Sequence, residues 1–454
     1  MADPRKIYFS GVGGSGVSAL ALFARMQGQD VVGSDRAFDQ DPGHPLKKRL
    51  EAAGIRLVPQ DGSALTREFG LVVMSTAVEP DRPEVLRARK LGIPLRTRPE
   101  YLAELCSAFE STALSGTSGK STAAGLLAWL MERLGLGPNF LGGGRVKQFA
   151  SEVNPGNALS GSSRRLVLEA CESDGTIVTY RPRDTVLLNL ALDHHRVEDT
   201  QEMFRALAGN TSGAVIANAD DPNLAPVIPP GALTFSLRET SAFRAADLVL
   251  GPLSSEFTVG GTKVRLSLPG KHNVLNALAA LAALSAMGVP VREAIPHLAE
   301  FEGIERRFDL HLDEGGRLVI DDYAHNPHKI AALMASVRAL RASACYVFQP
   351  HGYGPTRLMR EEYIQAFASG LRDADRLLLL PIFYAGGTAA RDISSEDLAA
   401  GVRNRGRRAE TVPDRAALLE ALGEEEAVVV MGARDESLSH LAHMIAQKLT
   451  GAAA

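Results

Sequence analysis

The sequence predicts an α/β protein with more than one domain, and three observations lead to this prediction. Two glycine-rich turns, at residues 11–16 and 116–119, each lie between a short apolar run and a segment whose apolar residues recur with helical spacing. Short apolar runs alternate with helix-like segments over most of the chain, as in parallel sheets covered by helices. At 454 residues, the chain is long enough for two to four domains with separate cores.

The first glycine-rich turn belongs to a pattern of strand, turn and helix. Residues 7–9 predict a buried strand, residues 17–26 a helix, and residues 31–35 a second strand that ends in Asp35. Glycines in such a turn let the backbone approach a diphosphate, and the acid can accept a hydrogen bond from a ribose hydroxyl. The pattern fits NAD, a UDP-sugar or another nucleotide diphosphate, and a tight turn without a ligand is the alternative.

The second glycine-rich turn is more specific, because residues 114–122 read LSGTSGKST between a short strand and a helix. Loop N–H groups and the helix start can bind phosphate oxygens, Lys120 can reach the terminal phosphates, and the Ser121 hydroxyl can hold Mg²⁺. The segment therefore predicts ATP or GTP binding, with a glycine turn beside a surface lysine as the alternative. Its spacing is compressed, since a standard phosphate loop places its glycines five residues apart.

Acidic and imidazole side chains follow two predicted strands after this loop. Residues 165–168 lead to Glu169, and residues 185–189 lead to Asp193, His194 and His195. Carboxylates at such strand ends can coordinate the Mg²⁺ that bridges nucleotide phosphates, and imidazole can also bind a divalent metal. For the Asp-His-His run, a solvated or capping loop is the alternative.

The remaining elements extend the same reading to the end of the chain. In the first region, further strands are predicted at residues 71–77 and 92–96, so the first 108 residues read as one α/β domain. The later predictions are a strand at 214–218, β structure with a Gly260-Gly261 turn at 248–268, a core helix at 277–289, and buried parallel strands at 319–321, 346–348, 377–380 and 428–431.

Composition narrows the class of protein. The formal net charge of −4 gives no electrostatic reason to expect nucleic acid or an anionic membrane surface as the main partner. The three cysteines, Cys106, Cys171 and Cys345, are far apart and predict reduced thiols. No signal peptide and no apolar run of membrane-spanning length is visible, so we expect a cytoplasmic protein without membrane insertion.

These segments together resemble the Mur ligase family, ATP-dependent enzymes that form amide bonds in peptidoglycan precursor synthesis. Residues 116–121, GTSGKS, resemble the family's GTxGK[ST] loop, which has the same compressed spacing. The resemblance is closest to the alanine-adding branch and covers nearly the whole chain. The other similar segments, in the family's order, are 11–18 with 33–35, 169–174 (EACESD, similar to EADESD), 189–194 (NxxxDH), 269–277, 306–308 (RRF), 321–327 (DDYAHNP, similar to DDYAHHP) and 348–351 (FQPH).

The resemblance implies three domains. These are a Rossmann-like UDP-sugar-binding domain at 1–108, a central P-loop ATPase domain at 109–301, and a Rossmann-like C-terminal domain at 302–454.

The resemblance also implies roles for individual residues. ATP would be bound by Gly116, Thr117, Ser118, Gly119, Lys120, Ser121, Thr122, His272, Asn276, Arg307 and Asp322. Mg²⁺ would be held by Ser121, Glu169 and His194, and Lys120, Glu169, His194 and Arg307 would be catalytic. The substrates would be bound by Gly11, Gly13, Gly14, Ser15, Gly16, Ser34, Asp35, Ser75, His325 and His351. From the residue types alone, surface salt bridges for Arg306 and Arg307 and a helix N-cap for Asp322 are the alternatives.

The implied reaction joins L-alanine to the carboxylate of UDP-N-acetylmuramate through an acyl phosphate, in a monomer or weak homodimer. The chain departs from the branch where Gly352 and Pro355 replace arginines, where Cys171 replaces an acid, and in the segment after His194. Three alternatives therefore stay open: a relative that adds a peptide or another amino acid in wall recycling, a nucleotide-binding protein that has lost ligase activity, and a nicotinamide-dependent oxidoreductase. The oxidoreductase would leave Lys120 and Glu169 unexplained.

Overall fold

The computed structural model describes residues 6–193, 195–384 and 390–451. The chain forms two compact units, one that ends at Ile304 and one that begins at Glu305. The predicted regions 1–108 and 109–301 both lie in the first unit.

The first unit opens with a five-stranded parallel sheet of order β3-β2-β1-β4-β5. Its elements are β1 Lys6–Ser10, α1 Ser15–Met26, β2 Asp30–Ser34, α2 Arg36–Gln40, α3 Pro45–Ala52, β3 Arg56–Leu57, β4 Leu71–Met74, α4 Pro83–Leu91, β5 Leu95–Thr97 and α5 Arg98–Ala108. The strand predicted at 92–96 begins later, because Gly92 has a φ of 71° and ends α4 in the left-handed region.

An eight-stranded sheet of order β13-β12-β11-β10-β6-β9-β7-β8 forms the centre of this unit. Its elements are β6 Glu110–Ser115, α6 Lys120–Arg133, β7 Asn139–Leu141, β8 Ala158–Leu159, β9 Arg165–Glu169, β10 Asp184–Leu187, α7 Val197–Gly209, β11 Val215–Asn218, β12 Leu233–Ser236 and β13 Phe243–Arg244. All neighbouring strands are parallel except β7 and β8. The phosphate-loop strand β6 is therefore interior, with its carboxyl end between those of β9 and β10.

A small antiparallel sheet and a buried helix complete the first unit. Their elements are β14 Ala246–Leu250, β15 Ser255–Val259, β16 Thr262–Leu266, α8 Lys271–Ala286 and α9 Val291–Ala294. The turn at Gly260 and Gly261 is confirmed. The core helix predicted at 277–289 starts six residues earlier, at Lys271, because polar residues fill its first turn while the rest packs against α6.

The second unit is built around one six-stranded sheet of order β17-β18-β22-β19-β20-β21. Its elements are β17 Asp309–Glu314, β18 Arg317–Asp322, α10 Pro327–Arg338, β19 Ala344–Gln349, α11 Tyr353–Leu358, α12 Arg360–Gly370, β20 Arg376–Leu379, α13 Ser395–Arg403, β21 Ala409–Thr411, α14 Arg415–Ala421, β22 Ala427–Gly432 and α15 Leu438–Thr450. The four predicted strands are confirmed, and β17, which pairs antiparallel with β18, is an additional strand.

Helices cover both faces of the second unit's sheet. Helices α10, α12 and α13 pack on one face, and α14 and α15 pack on the other. Parallel strands buried on both faces are expected to read as continuous apolar runs, which explains why these strands could be predicted. The predicted α/β fold class is confirmed.

Candidate active site

The phosphate loop lies at the carboxyl end of β6 and is held by the loop after β10. Asn189 accepts a hydrogen bond from Thr117 N–H at its backbone oxygen (3.1 Å) and one from Ser118 N–H at Oδ1 (2.9 Å). Gly119 has a φ of 85°, and a Cβ there would lie 2.6 Å from Asn276 Oδ1. Glycine is thus required by both conformation and space where α6 begins.

Lys120 is already paired with an acid. Its Nζ donates to Glu172 Oε2 at 2.8 Å and to the Gly116 carbonyl at 2.5 Å, and the Glu172 carboxylate is buried. Burial disfavours the charged form of Lys120, but Cys171 and Glu172 outweigh this effect and raise its pKa. The structure therefore keeps a cation at the phosphate loop. Glu172 is a residue that the sequence reasoning did not single out.

Ser121 and Glu169 form the second polar pair of this site. Ser121 Oγ donates to Glu169 Oε2 at 3.0 Å, while Glu169 Oε1 accepts from Gly143 N–H at 2.6 Å and Gly144 N–H at 3.2 Å. The backbone amides fix the carboxylate beside the first turn of α6. Thr122 follows in that turn and is half-buried.

The donor set fits Mg²⁺. Ser121 and Glu169 offer a hydroxyl and a carboxylate, and Mg²⁺ takes oxygen ligands, commonly one or two carboxylates together with phosphates and water. No group of three or more His, Cys, Asp or Glu side chains that could hold a metal occurs among the described residues. The third predicted ligand, His194, lies outside the described residues.

Asn276 and His272 lie in the first turns of α8. Asn276 is buried against Gly119, and its Nδ2 donates to Asn273 Oδ1 at 3.3 Å. His272 is exposed beside Gly270, whose φ is 90°. Asn276 thus belongs to the phosphate-loop site, while His272 is exposed in the first turn of the same helix.

The first glycine loop carries its own acceptor. Asp35 accepts from Gly13 N–H at 2.7 Å through Oδ2 and from Ala37 N–H at 2.9 Å through Oδ1. A Cβ on Gly13 would lie 2.8 Å from Asp35 Oδ2, and one on Gly11 would lie 2.8 Å from Ser75 Cβ. The loop therefore packs against the side chains of Asp35 and Ser75, which are both predicted to bind substrate. An anion that accepted a hydrogen bond from the Gly13 amide would displace Asp35. Gly14 precedes α1, and Ser15 and Gly16 form its first residues.

Beneath this loop lies a buried carboxyl group that the sequence reasoning missed. Glu84 is fully buried and accepts hydrogen bonds from Ser10 Oγ, from Ser34 Oγ at 3.3 Å and from Gln60 Nε2 at 3.2 Å. Burial raises its pKa. The hydroxyl of Ser34 thus points to Glu84 inside the protein. No sequence signal separates Glu84 from a surface acid at the start of a helix.

In the second unit, two adjacent arginines have different surroundings. Arg306 is 4% exposed, and its Nε lies 3.1 Å from Asp321 Oδ2, so its salt bridge is buried and not at the surface. Burial raises the pKa of Asp321 to about 7, although Arg306 acts in the opposite direction. Arg307 is exposed, and its guanidinium lies 5.0 Å from the ring centre of Tyr323. Within the part of the chain that the structure describes, that guanidinium has no hydrogen bond or ion pair.

Asp322 is committed to backbone amides. Its carboxylate accepts from Phe308 N–H and from Ala324 N–H, both at 2.7 Å. Burial raises its pKa against the opposing effect of Arg307. The N-cap of α10 is Asn326, so the alternative of a helix cap does not apply to Asp322.

His325 and His351 meet at the carboxyl edge of this sheet. Their ring centres are 5.4 Å apart, and His325 Nδ1 lies 2.8 Å from the Tyr323 carbonyl oxygen. Burial lowers the pKa of His325 to about 4. Burial, followed by the charge of Arg434, also lowers the pKa of His351. Both imidazoles are therefore neutral at pH 7, and a neutral imidazole can accept a hydrogen bond.

Phosphate loop, strand-end acids and parallel sheets define a P-loop α/β protein, and three family models identify its class. Residues 6–110 match the Mur ligase family catalytic domain, residues 114–284 the Mur ligase middle domain, and residues 306–434 the Mur ligase glutamate ligase domain. The chain belongs to the Mur ligase family, which confirms the resemblance.

Several relatives are similar over nearly their whole length. The UDP-N-acetylmuramate–L-alanine ligase of Geobacter sp. strain M21 is 34% identical over 434 residues, which cover 92% of this chain and 91% of the relative. The enzyme of the same name from Rubrobacter xylanophilus is 33% identical and covers 95% and 98%.

Solved structures support the fold. The UDP-N-acetylmuramate–alanine ligase of Thermotoga maritima superposes with a TM-score of 0.80 at 24% identity, over 99% of this chain and 100% of that one. A murein peptide ligase of Psychrobacter arcticus superposes with a TM-score of 0.70 at 22% identity, with the same coverage. Among the described residues, every helix is too short or too polar to cross a bilayer.

Proposed function

We propose that this chain is an ATP-dependent ligase that joins L-alanine to the carboxylate of UDP-N-acetylmuramate in peptidoglycan precursor synthesis. Relatives with that name cover more than nine-tenths of the chain at 33–34% identity. The observation that carries the proposal within this structure is the phosphate loop, where Ser121 contacts Glu169 at the end of β9 and Lys120 contacts Glu172 in the loop that follows.

The chemistry needs activation of the substrate carboxylate, because a carboxylate does not react with an amine at neutral pH. Phosphoryl transfer from ATP would give an acyl phosphate, which the amine attacks before phosphate leaves. Such a transfer depends on positioning and charge neutralisation, and no protein nucleophile is required. Lys120 and Arg307 would neutralise charge on the terminal phosphate.

One Mg²⁺ would be held by Ser121 and Glu169, and His194 would hold a second near the substrate carboxylate. When bound, the metal would offset negative charge on the phosphate oxygens. Glu172 holds Lys120 charged and in place, and the amides of Gly143 and Gly144 keep the Glu169 carboxylate turned toward α6.

The two remaining nucleotide contacts are proposed from the family pattern and the local geometry. Asn276 would contact adenine, since it is buried beside Gly119 at the end of the phosphate loop. Asp322 would contact the ribose and would have to exchange one of its two amide hydrogen bonds to do so.

The loop at 11–16, with Asp35 and Ser75, would bind the UDP-sugar diphosphate. We also propose the division into domains at 1–108, 109–301 and 302–454, action in the cytoplasm where nucleotide substrates are available, and a monomer or weak homodimer.

The replacements at 352 and 355 favour one second candidate, a ligase that adds a peptide or a different amino acid. Gly352 and Pro355 leave no guanidinium at positions where the alanine-adding branch has one. The murein peptide ligase fold is compatible with this candidate.

A phosphate-release assay distinguishes the candidates. The purified chain is supplied with ATP, Mg²⁺ and UDP-N-acetylmuramate and tested with a panel of amino acids and short peptides, with products identified by mass. L-Alanine is expected to give the highest turnover. Turnover with a peptide but not with L-alanine would select the second candidate, and phosphate release without any amide product would contradict both.

A further inference from the structure

The chain makes a strained turn at the carboxyl end of β22, the strand between β18 and β19. Arg434 in this turn has a φ of 67°, in the left-handed region that side chains other than glycine rarely adopt. Its side chain is exposed, and its guanidinium has no hydrogen bond or ion pair within the described ranges. Backbone strain of this kind persists where the surrounding structure holds it and is concentrated at functional sites.

The buried guanidinium of Arg306 donates hydrogen bonds to the backbone of this turn. Arg306 donates through Nη2 to the Gly432 carbonyl at 2.7 Å and through Nη1 to the Asp435 carbonyl at 2.9 Å, one on each side of Arg434. Arg306 is itself fixed by its buried pair with Asp321. The Arg434 N–H also donates to Tyr323 Oη at 3.4 Å. The position of Arg434 is thus set by several contacts and not by its own side chain.

The turn lies at the sheet edge that carries His325 and His351. The register pairs Met431 of β22 with Asp322 of β18 and with Phe348 of β19, so the turn after β22 emerges between the loops that bear the two histidines. The charge of Arg434 acts on His351. Arg434 is therefore the cation that acts on His351, while Lys329 and Arg307 are the cations that act on His325. An α-amino acid presents the matching pair of groups, a carboxylate for the guanidinium and an amine for a neutral acceptor.

The other arginines of this edge have different surroundings. Arg357 is paired with Asp392 at 2.6 Å and donates to the Ala390 carbonyl at 3.0 Å. Arg391 is stacked on Tyr384, with its guanidinium carbon 4.2 Å from the ring centre. Arg307 is proposed to neutralise charge on the terminal phosphate of ATP.

We infer that Arg434 binds the carboxylate of the incoming amino acid and supplies the cation that Gly352 and Pro355 do not. The inference rests on the proposed function and names the residue that recognises the acceptor. Arg434 would thereby determine specificity for acceptors with a free α-carboxylate.

The test compares L-alanine with L-alaninamide, which lacks the carboxylate, in the full-length chain and in Arg434→Gly. The KM for L-alanine is expected to rise about 10- to 100-fold, as for loss of a charge-assisted hydrogen bond. The KM values for ATP and UDP-N-acetylmuramate and the kcat/KM for L-alaninamide should stay close to their starting values. Glycine relieves the positive φ, so the variant should unfold at the same or a higher temperature.

Two further variants complete the design. Arg434→Lys keeps the charge but loses the forked donor geometry, so its KM for L-alanine should lie between the other two. Arg317→Gln removes one positive charge from the amino end of β18, the opposite edge of the sheet, and should leave all KM values unchanged.

Two kinetic results would overturn the inference, and a binding measurement provides a separate test. One is an unchanged KM for L-alanine in Arg434→Gly; the other is a rise confined to the KM of ATP or of UDP-N-acetylmuramate. Calorimetric binding of L-alanine in the presence of a non-hydrolysable ATP analogue and UDP-N-acetylmuramate separates this question from turnover. Weaker binding by Arg434→Gly supports the inference even if no amide forms, which would contradict the proposed function alone. Equal binding by both proteins, or binding by neither, overturns the inference.

Discussion

The phosphate loop of the first unit and the carboxyl edge of the second unit's sheet both carry basic side chains. The surroundings of these side chains differ between the two regions. At the phosphate loop, Lys120 is paired with the buried Glu172. At the second edge, Arg307 and Arg434 are exposed, and the buried cation is Arg306, paired with Asp321. A buried pair fixes the fold around it, while an exposed guanidinium is available to a ligand. At the second edge, the surroundings of each arginine therefore separate a structural role from a binding role, whereas Lys120 keeps a buried partner and is still proposed to bind phosphate.

The largest effect is expected from Lys120→Ala. Loss of the cation at the terminal phosphate should lower the rate of ADP formation by about a thousandfold or more, as for other phosphoryl-transfer groups. UDP-N-acetylmuramate binding at the first glycine loop should survive, as measured by calorimetry. Lys263→Ala, at an exposed position on β16, is the matched control and should change neither quantity. Loss of both ADP formation and UDP-N-acetylmuramate binding in Lys120→Ala would argue against separate sites for the two nucleotides.

Arg306→Met tests the structural half of the comparison. Removing one partner of a buried ion pair leaves Asp321 uncompensated, so the free energy of unfolding should fall by about 3–5 kcal/mol. Urea denaturation measures the change. A loss below about 1 kcal/mol, the range of surface pairs, would mean that Arg306 does not hold this part of the fold.

Arg307→Ala tests the binding half of the same comparison. Stability should change little, because the side chain is exposed, while the rate of ADP formation should fall by about a hundredfold through lost charge stabilisation. The two arginine variants should therefore separate stability from activity. Equal losses of stability in Arg306→Met and Arg307→Ala would contradict the distinction between a structural and a binding arginine.

The last effect concerns the pH dependence of stability that arises from His325. Its pKa is about 4 in the fold against an ordinary 6.5, so its contribution is complete above pH 6.5 and is lost as pH falls toward 4, when the unfolded chain binds the proton first. His325→Gln should flatten the unfolding free energy over this window, as measured by denaturant titration at several pH values. The exposed His440→Gln is the control and should keep the slope.

Much of the fold followed from local patterns. The parallel strands of the second unit were predictable because each is an apolar run buried on both faces, and the phosphate loop because its glycines and lysine lie within a few residues. Strand β17 was missed because it is only half-buried and pairs at the sheet edge. The start of α8 was missed because its first turn is polar.

The candidate site was predictable only in part. Glu169 and Ser121 were singled out and do meet, across 48 positions of sequence. Glu172 accepts a hydrogen bond from Lys120, but it was not predicted. It lies beyond the strand end, and the sequence alone does not distinguish it from the neighbouring acids. Glu84 was missed for a similar reason, since its serine partners lie 50 and 74 residues away.

The sequence by itself determined the α/β class, the phosphate loop with its compressed spacing, and membership of the Mur ligase family, because these depend on residue type and short-range order. The tertiary structure decided which of two adjacent arginines is buried and which acid pairs with Lys120. It also decided that Asp35 accepts a hydrogen bond from the Gly13 amide and that Arg434 lies in a strained turn between the loops that carry His325 and His351. These properties depend on burial and on partners from distant strands, since the carboxyl ends of parallel strands meet only when the sheet has formed.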